Sequence, residues 1–138
     1  MKLARPLGRV RRGLALVETA LVLPLLILLT FGVIEYGGLF WRYQQVQDVA
    51  RQAARQAALV DSSQGKINAT VSTLMTNNGL QSSGYTVTYS PDPGAAQTGT
   101  LVSVTISVPY QNVSLTKMPL FPVPTTLHQQ VTMSKEGT

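Results

Sequence analysis

The groups able to move protons, attack a carbonyl or bind a metal are few in this chain of 138 residues. They are Glu18, Glu35, Asp48, Asp61, Asp92, Glu136 and a single histidine, His128, with no cysteine. Without thiols there is no disulfide, no thiolate metal site and no cysteine nucleophile. The six acids are scattered, with no paired-carboxylate or metal-ligand spacing, and there is no G-x-S-x-G elbow or phosphate-cradling glycine loop. His128 falls in an alternating stretch, where a surface side chain is expected. Neither an enzyme nor a cofactor is expected. Asn68-Ala69-Thr70 and Asn112-Val113-Ser114 match the glycosylation acceptor triplet, which chance supplies often.

One acid stands where physics disfavours it. Leu14 to Ile34 reads LALVETALVLPLLILLTFGVI, 21 residues whose one charge is Glu18. At about 1.5 Å per residue, a helix of this length just spans a hydrocarbon core of roughly 30 Å. The eleven Leu, Ile, Val and Phe residues from Thr19 to Ile34 favour insertion by about 3 to 7 kcal/mol before Pro24 and the polar groups are counted. A carboxylate there has two readings. Glu18 sits in the first turn, at headgroup depth and favoured by the positive end of the helix dipole, or it waits for a partner inside the membrane. Pro24 withholds the backbone donor for Ala20 and is expected to kink the span.

Charge is distributed as unevenly as hydropathy. Lys2, Arg5, Arg9, Arg11 and Arg12 precede residue 13 with no acid among them, so the remaining 125 residues hold six bases and six acids. A nucleic-acid partner is therefore not expected, since the folded part carries no positive excess. Instead the basic head predicts a cytoplasmic N-terminus, with everything after Ile34 on the far side of the membrane. Tyr36, Phe40, Trp41 and Tyr43 follow the span at once, as an aromatic belt at the outer interface would. Glu35 is expected in interfacial water, with Glu35, Tyr36 and Trp41 as possible interface residues. A secretory signal peptide also joins basic and apolar regions. Glu18 within the run and bulky neighbours around Gly37 and Gly38 weigh against ordinary signal-peptidase cleavage.

The junction Arg11-Arg12-Gly13-Leu14-Ala15-Leu16-Val17-Glu18 resembles the processing site of type IV prepilins, whose leader is cut after glycine by a membrane aspartyl protease. Glycine offers such a cleft no side-chain obstruction. The alternative for Gly13 is a flexible joint between leader and helix. The resemblance implies a prepilin peptidase as partner, a new amine on Leu14, and Glu18 pairing with the amine of a neighbouring subunit. More broadly, Arg11 to Ala58 resembles the N-terminal half of TadE-like proteins, minor pilins or pseudopilins of the tight-adherence (Flp) pilus machinery. Gly13, Glu18, Leu23-Pro24, Glu35-Tyr36-Gly37, Val49-Ala50-Arg51 and Ala53-Ala54-Arg55 carry that resemblance. Met133-Ser134-Lys135-Glu136 is similar to the family's C-terminal strand. Major Flp pilins are very short and place Tyr after the glutamate, whereas Thr19 stands here, so the minor component is the better match. The resemblance implies a bacterial inner-membrane protein whose partners are other pilins or pseudopilins of the machinery and the membrane lipid.

The elements that must position these residues follow from periodicity. Val46, Val49, Ala50, Ala53, Ala57 and Val60 form one helical stripe, with Asp48, Arg51, Gln52 and Arg55 opposite on a solvated face. Ile67, Val71, Leu74 and Met75 predict a short helix closed by Asn78-Gly79. After Gly84 the period becomes two: Tyr85, Val87, Tyr89; Val102, Val104, Ile106, Val108; and Leu127, Gln129, Val131, Met133. Pro91-Asp92-Pro93-Gly94 marks a turn. The proline-rich Lys117 to Pro124 is expected to be an ordered or partner-binding loop, or one covering a sheet edge. The division expected is a basic cytoplasmic leader (1–13), a transmembrane helix (14–35), an amphipathic stem helix (36–61) and a small extracytoplasmic domain (62–138). The fold class is α+β: a long N-terminal transmembrane helix continuing into a stem packed on a small antiparallel sheet, a pilin-like plan.

Overall fold

A computed structural model of the chain describes residues 8–115 and 122–137. Helix α1 runs unbroken from Gly8 to Ala58, about 75 Å at the standard rise. Helix α2 spans Gln64–Asn77, and the strands are β1 (Thr86–Ser90), β2 (Leu101–Pro109) and β3 (Thr126–Ser134). A 3-10 turn at Tyr110–Asn112 opens the β2–β3 connection. The layout is α+β, as the patterning predicts. Most of the Lys117–Pro124 loop lies outside the described residues, as do the first seven residues of the leader.

The helices end where local chemistry stops them. Past Ala58 the Ser62 hydroxyl donates to the Ala57 carbonyl (2.9 Å), turning the chain three residues before the expected end of the stem at Asp61. Val60 thereby leaves the helical stripe and is exposed, while Ala54 is fully buried. Ser63 then caps α2, its side chain accepting from the Lys66 amide (3.4 Å). At the far end Gly79 has a positive φ of 68°. Its amide reaches Thr76 (3.0 Å), and that of Leu80 reaches Met75 (2.7 Å). This is the Schellman arrangement, which needs a residue that tolerates left-handed backbone. The Lys66 ammonium pairs with Asp61 and holds its carboxyl below the usual carboxylate range.

The sheet has the order β1-β2-β3, antiparallel throughout, with Thr88 opposite Thr105 and Thr105 opposite Gln130. Strand alternation sends Val102, Val104, Ile106 and Val108 inward, where all four are fully buried. They meet Val46, Val49, Ala50, Ala53 and Ala57 of α1 and Ile67, Val71 and Met75 of α2 in one core. Each buried Val or Ile stabilises the fold by about 1.5–3 kcal/mol. The alanines let α1 lie close over β2 and β3, with α2 packed beside it. Tyr89 of β1 ties α2 to the sheet by donating to Asn68 Oδ1 (2.6 Å). The other sheet face is hydroxyl-rich and solvated. His128 lies there, exposed, against the Ser107 hydroxyl (2.8 Å).

Candidate functional site

From Gly13 to Phe31 the rest of the chain leaves α1 uncovered. Every residue from Gly13 to Phe31 is exposed, and the most apolar 18-residue window has none of its residues buried. In water such a surface is strongly unfavourable; in a bilayer it is the expected one. Thr19 and Thr30 hydroxyls donate to the carbonyls of Ala15 and Leu26 (both 2.8 Å), so neither needs water. This is the one helix among the described residues long and apolar enough to cross a membrane.

Gly13 lies within the helix, and a Cβ placed on it would have no atom within 4 Å. A side chain at Gly13 would therefore meet no neighbour, and the glycine itself is helical. Glu18 is one turn and a residue further on. Its carboxylate borders a shallow groove formed with Thr19, Val22, Leu23 and Leu26 and has no ion-pair partner among the described residues. Pro24 sits exposed inside α1, where the Ala20 carbonyl has no amide to accept from. Pro24→Ala restores that bond and should raise helix stability while slowing or impairing assembly. Hydrogen exchange at residues 20–28 and pilus yield check this, and unchanged yield would make the proline merely tolerated.

Glu35 is not in interfacial water. It is only 2% exposed, accepting from the hydroxyls of Tyr110 (2.8 Å) and Ser114 (3.0 Å). The expectation fails because the turn after β2 folds down onto the helix at this level, covering the carboxylate with donors that lie 75 and 79 residues away in sequence. Tyr36 donates to the Pro122 carbonyl (3.1 Å). One residue past Gly37, a Cβ on Gly38 would come within 2.5 Å of Leu115 Cδ1, so glycine there lets this turn seat tightly. Trp41 is 65% exposed and Phe40 63%. Arg51 and Arg55 are exposed, as the solvated face requires. The Arg51–Asp48 contact (3.6 Å) joins two well-hydrated side chains and adds little stability.

Two partnerships were invisible to sequence reasoning. Tyr110 continues the alternation of β2 and Ser114 lies beyond it, but nothing in either position points to Glu35, and only the fold brings them together. In the sequence Lys135 shows only as part of a final strand. It is 6% exposed, its ammonium donating to the Ser62 hydroxyl and the Pro93 carbonyl. It thus places a positive charge near the last turn of α1, where the helix dipole favours one.

A bare apolar helix with one acid, long enough to cross a membrane, continues as the stem of a helix-on-sheet α+β body, and that helix is the protein's distinguishing part. That helix is also where kinship lies: residues 13–55 match the family model described as TadE-like protein. Over this segment, from the junction glycine to the buried face of the stem, the chain is similar to TadE-like proteins, which is consistent with involvement in the tight-adherence (Flp) pilus machinery. No curated protein and no solved structure matches the chain.

Proposed function

We propose that this chain is a minor pilin, or pseudopilin, of the tight-adherence machinery. It inserts with its basic leader in the cytoplasm and its body outside the inner membrane, and a prepilin peptidase cuts it after Gly13. The part it plays is structural, not catalytic. The observation that carries the reading is Glu18: a carboxylate without an ion-pair partner among the described residues, on a bare apolar helix face, five residues after an unobstructed glycine.

Cleavage removes five positive charges and leaves an amine on Leu14 with a pKa of about 7.7–8.0 in water, mainly protonated at neutral pH. Two charges that are each costly in oil are then neutralised together when Glu18 of one subunit meets the amine of the next. Before cleavage, the leader's cations hold the chain in the bilayer.

N-terminal sequencing of the membrane-bound protein tests this directly, with a start at Leu14 expected. A start at Met1 would favour an uncleaved single-pass protein presenting its outer body for binding. A start beyond Ile34 would mean a secreted domain released by signal peptidase.

A further inference from the structure

Strand β3 is an edge of the sheet, and its outward side is bare. The Lys135 amide donates to the Thr100 carbonyl (2.8 Å) and the Tyr110 amide to the Thr125 carbonyl (2.9 Å). In an antiparallel ladder such bonded pairs recur at every second residue. With Leu127 opposite Val108 and Met133 opposite Val102, the odd-numbered residues of β3 therefore bond β2. The backbone groups of Thr126, His128, Gln130, Thr132 and Ser134 point outward, and none has a backbone partner among the described residues. Exposed edges are ordinarily blunted by lysine, proline or a bulge. The 9 residues of β3 hold no proline and no Asp, Glu, Lys or Arg, and their pairing to β2 is uninterrupted from Thr126 to Ser134.

One flank of the stem runs alongside that edge. Tyr36, Phe40, Tyr43, Gln47, Arg51 and Arg55 follow one another at helical spacing and share a side of α1. At the foot, Tyr36, Phe40 and Tyr43 line a groove of about 710 Å³ with Thr126, Leu127 and His128, and no Asp, Glu, Lys or Arg is among its described lining. At the top, Arg51 and Arg55 border a second hollow with Met133. Midway, Gln129 is 6% exposed, and its amide nitrogen has no acceptor among the described residues.

An extended chain laid on this edge satisfies all three features together. Its backbone continues the ladder, and every second side chain turns towards the stem. Opposite Leu127 an apolar side chain fills the groove, and opposite Gln129 an acceptor meets the amide. Opposite Met133 an acid comes within reach of Arg51 and Arg55. Arg55 has no ion-pair partner among the described residues; at such exposure a charge orients the incoming strand more than it tightens it.

We infer that the outer edge of β3 is a strand-addition site for an extended segment of another protein, whose stem-facing side chains read apolar, polar, apolar and acidic from the foot of the body outward. A second copy fits less well. For chains inserted in one orientation, two β3 edges cannot pair antiparallel. A sheet continued through β1 of the next copy would set the two α1 helices three strands, about 14 Å, apart, beyond the roughly 8–10 Å of packed helices. The inference needs neither cleavage nor pilus assembly, so its failure leaves the proposed function untouched.

The probe is the peptide Thr-Glu-Thr-Val-Thr-Gln-Thr-Phe-Thr, as long as β3 and written to pair antiparallel, with its Phe opposite Leu127 and its Glu opposite Met133. It is added to the isotope-labelled full-length chain in detergent micelles, and amide exchange is read by NMR. The amides of Thr126, His128, Gln130, Thr132 and Ser134 should exchange at least about tenfold more slowly. Those of Leu127, Gln129 and Val131, already bonded to β2, should not change. N-methylation of the peptide amides that face β3 should abolish the protection. Gln130→Pro removes one outward donor, leaves the ladder to β2 intact, and should weaken it. If Gln130→Pro loses its fold by circular dichroism, the methylated peptide carries the test. Unchanged exchange at millimolar peptide overturns the inference. Alternate protection that is present without peptide and rises with protein concentration means that a second copy takes the edge, which also overturns it. Equal protection by the methylated and parent peptides does the same, because side chains alone would then hold the peptide.

Discussion

Glu35→Ala is expected to lower the stability of the outer body by about 3 kcal/mol, since each buried hydrogen bond to a charged acceptor contributes roughly 1.5–3 kcal/mol and its loss strands a donor. The donors left behind are the Tyr110 hydroxyl, in a residue only 2% exposed, and the Ser114 hydroxyl. Glu35→Gln keeps a carbonyl acceptor and should cost less, on the order of 1 kcal/mol. Denaturant unfolding of the detergent-solubilised chain, followed by circular dichroism, measures both.

A second readout is specific to this contact. Burial, and then the hydrogen bond and negative charge of Glu35, push the Tyr110 phenol up to about 12, against about 10 in an unfolded chain. A raised acid pKa means that the fold favours the protonated phenol. That share of stability is whole below pH ~10 and is lost as pH rises from about 10 through 12. Of the five tyrosines, Tyr110 should therefore ionise late in an ultraviolet titration, and Glu35→Gln should bring it down towards the unfolded value. A Tyr110 titration unaffected by Glu35→Gln would show that the carboxylate does not hold it.

The other large effect belongs to Glu18. Glu18→Ala makes the span more apolar, so membrane insertion, judged by resistance to alkaline extraction, should be normal or improved. Assembly should suffer. Removing one partner of a buried charge pair costs about 3–5 kcal/mol because the other charge is left unneutralised, which corresponds to at least a hundredfold drop, roughly, in incorporation. Quantifying the protein in sheared pilus fractions against the membrane pool measures that ratio. Equal incorporation of Glu18→Ala would reduce the carboxylate to an interfacial residue of α1 with no part in assembly.

The part of the fold legible in the sequence is the part encoded by near neighbours. Alternation in Val102, Val104, Ile106 and Val108 reports a half-buried strand directly, because side-chain direction repeats every second residue. The Asn78-Gly79 pair stops α2 through backbone chemistry confined to a few residues. Gly13 and Glu18 sit on one helix at a spacing that any reader of the chain can count. Glu35 was misjudged for the opposite reason. Position along the sequence put it at a membrane edge, while its environment is made by a turn more than seventy residues later. Lys135 and Ser62 likewise meet only after the sheet is assembled, and Val60 left its stripe because Ser62 closes the helix early.

The last strand also has a mechanical consequence. It begins beside Phe40 and Tyr43 at the foot of the body and ends beside the top of α1, where the Glu136 amide donates to the Ala58 carbonyl (2.8 Å). Strand and helix thus run the same way and are fastened at both extremities. A tug on the outer tip loads this seam lengthwise, so that its many contacts must slide together and cannot open one by one.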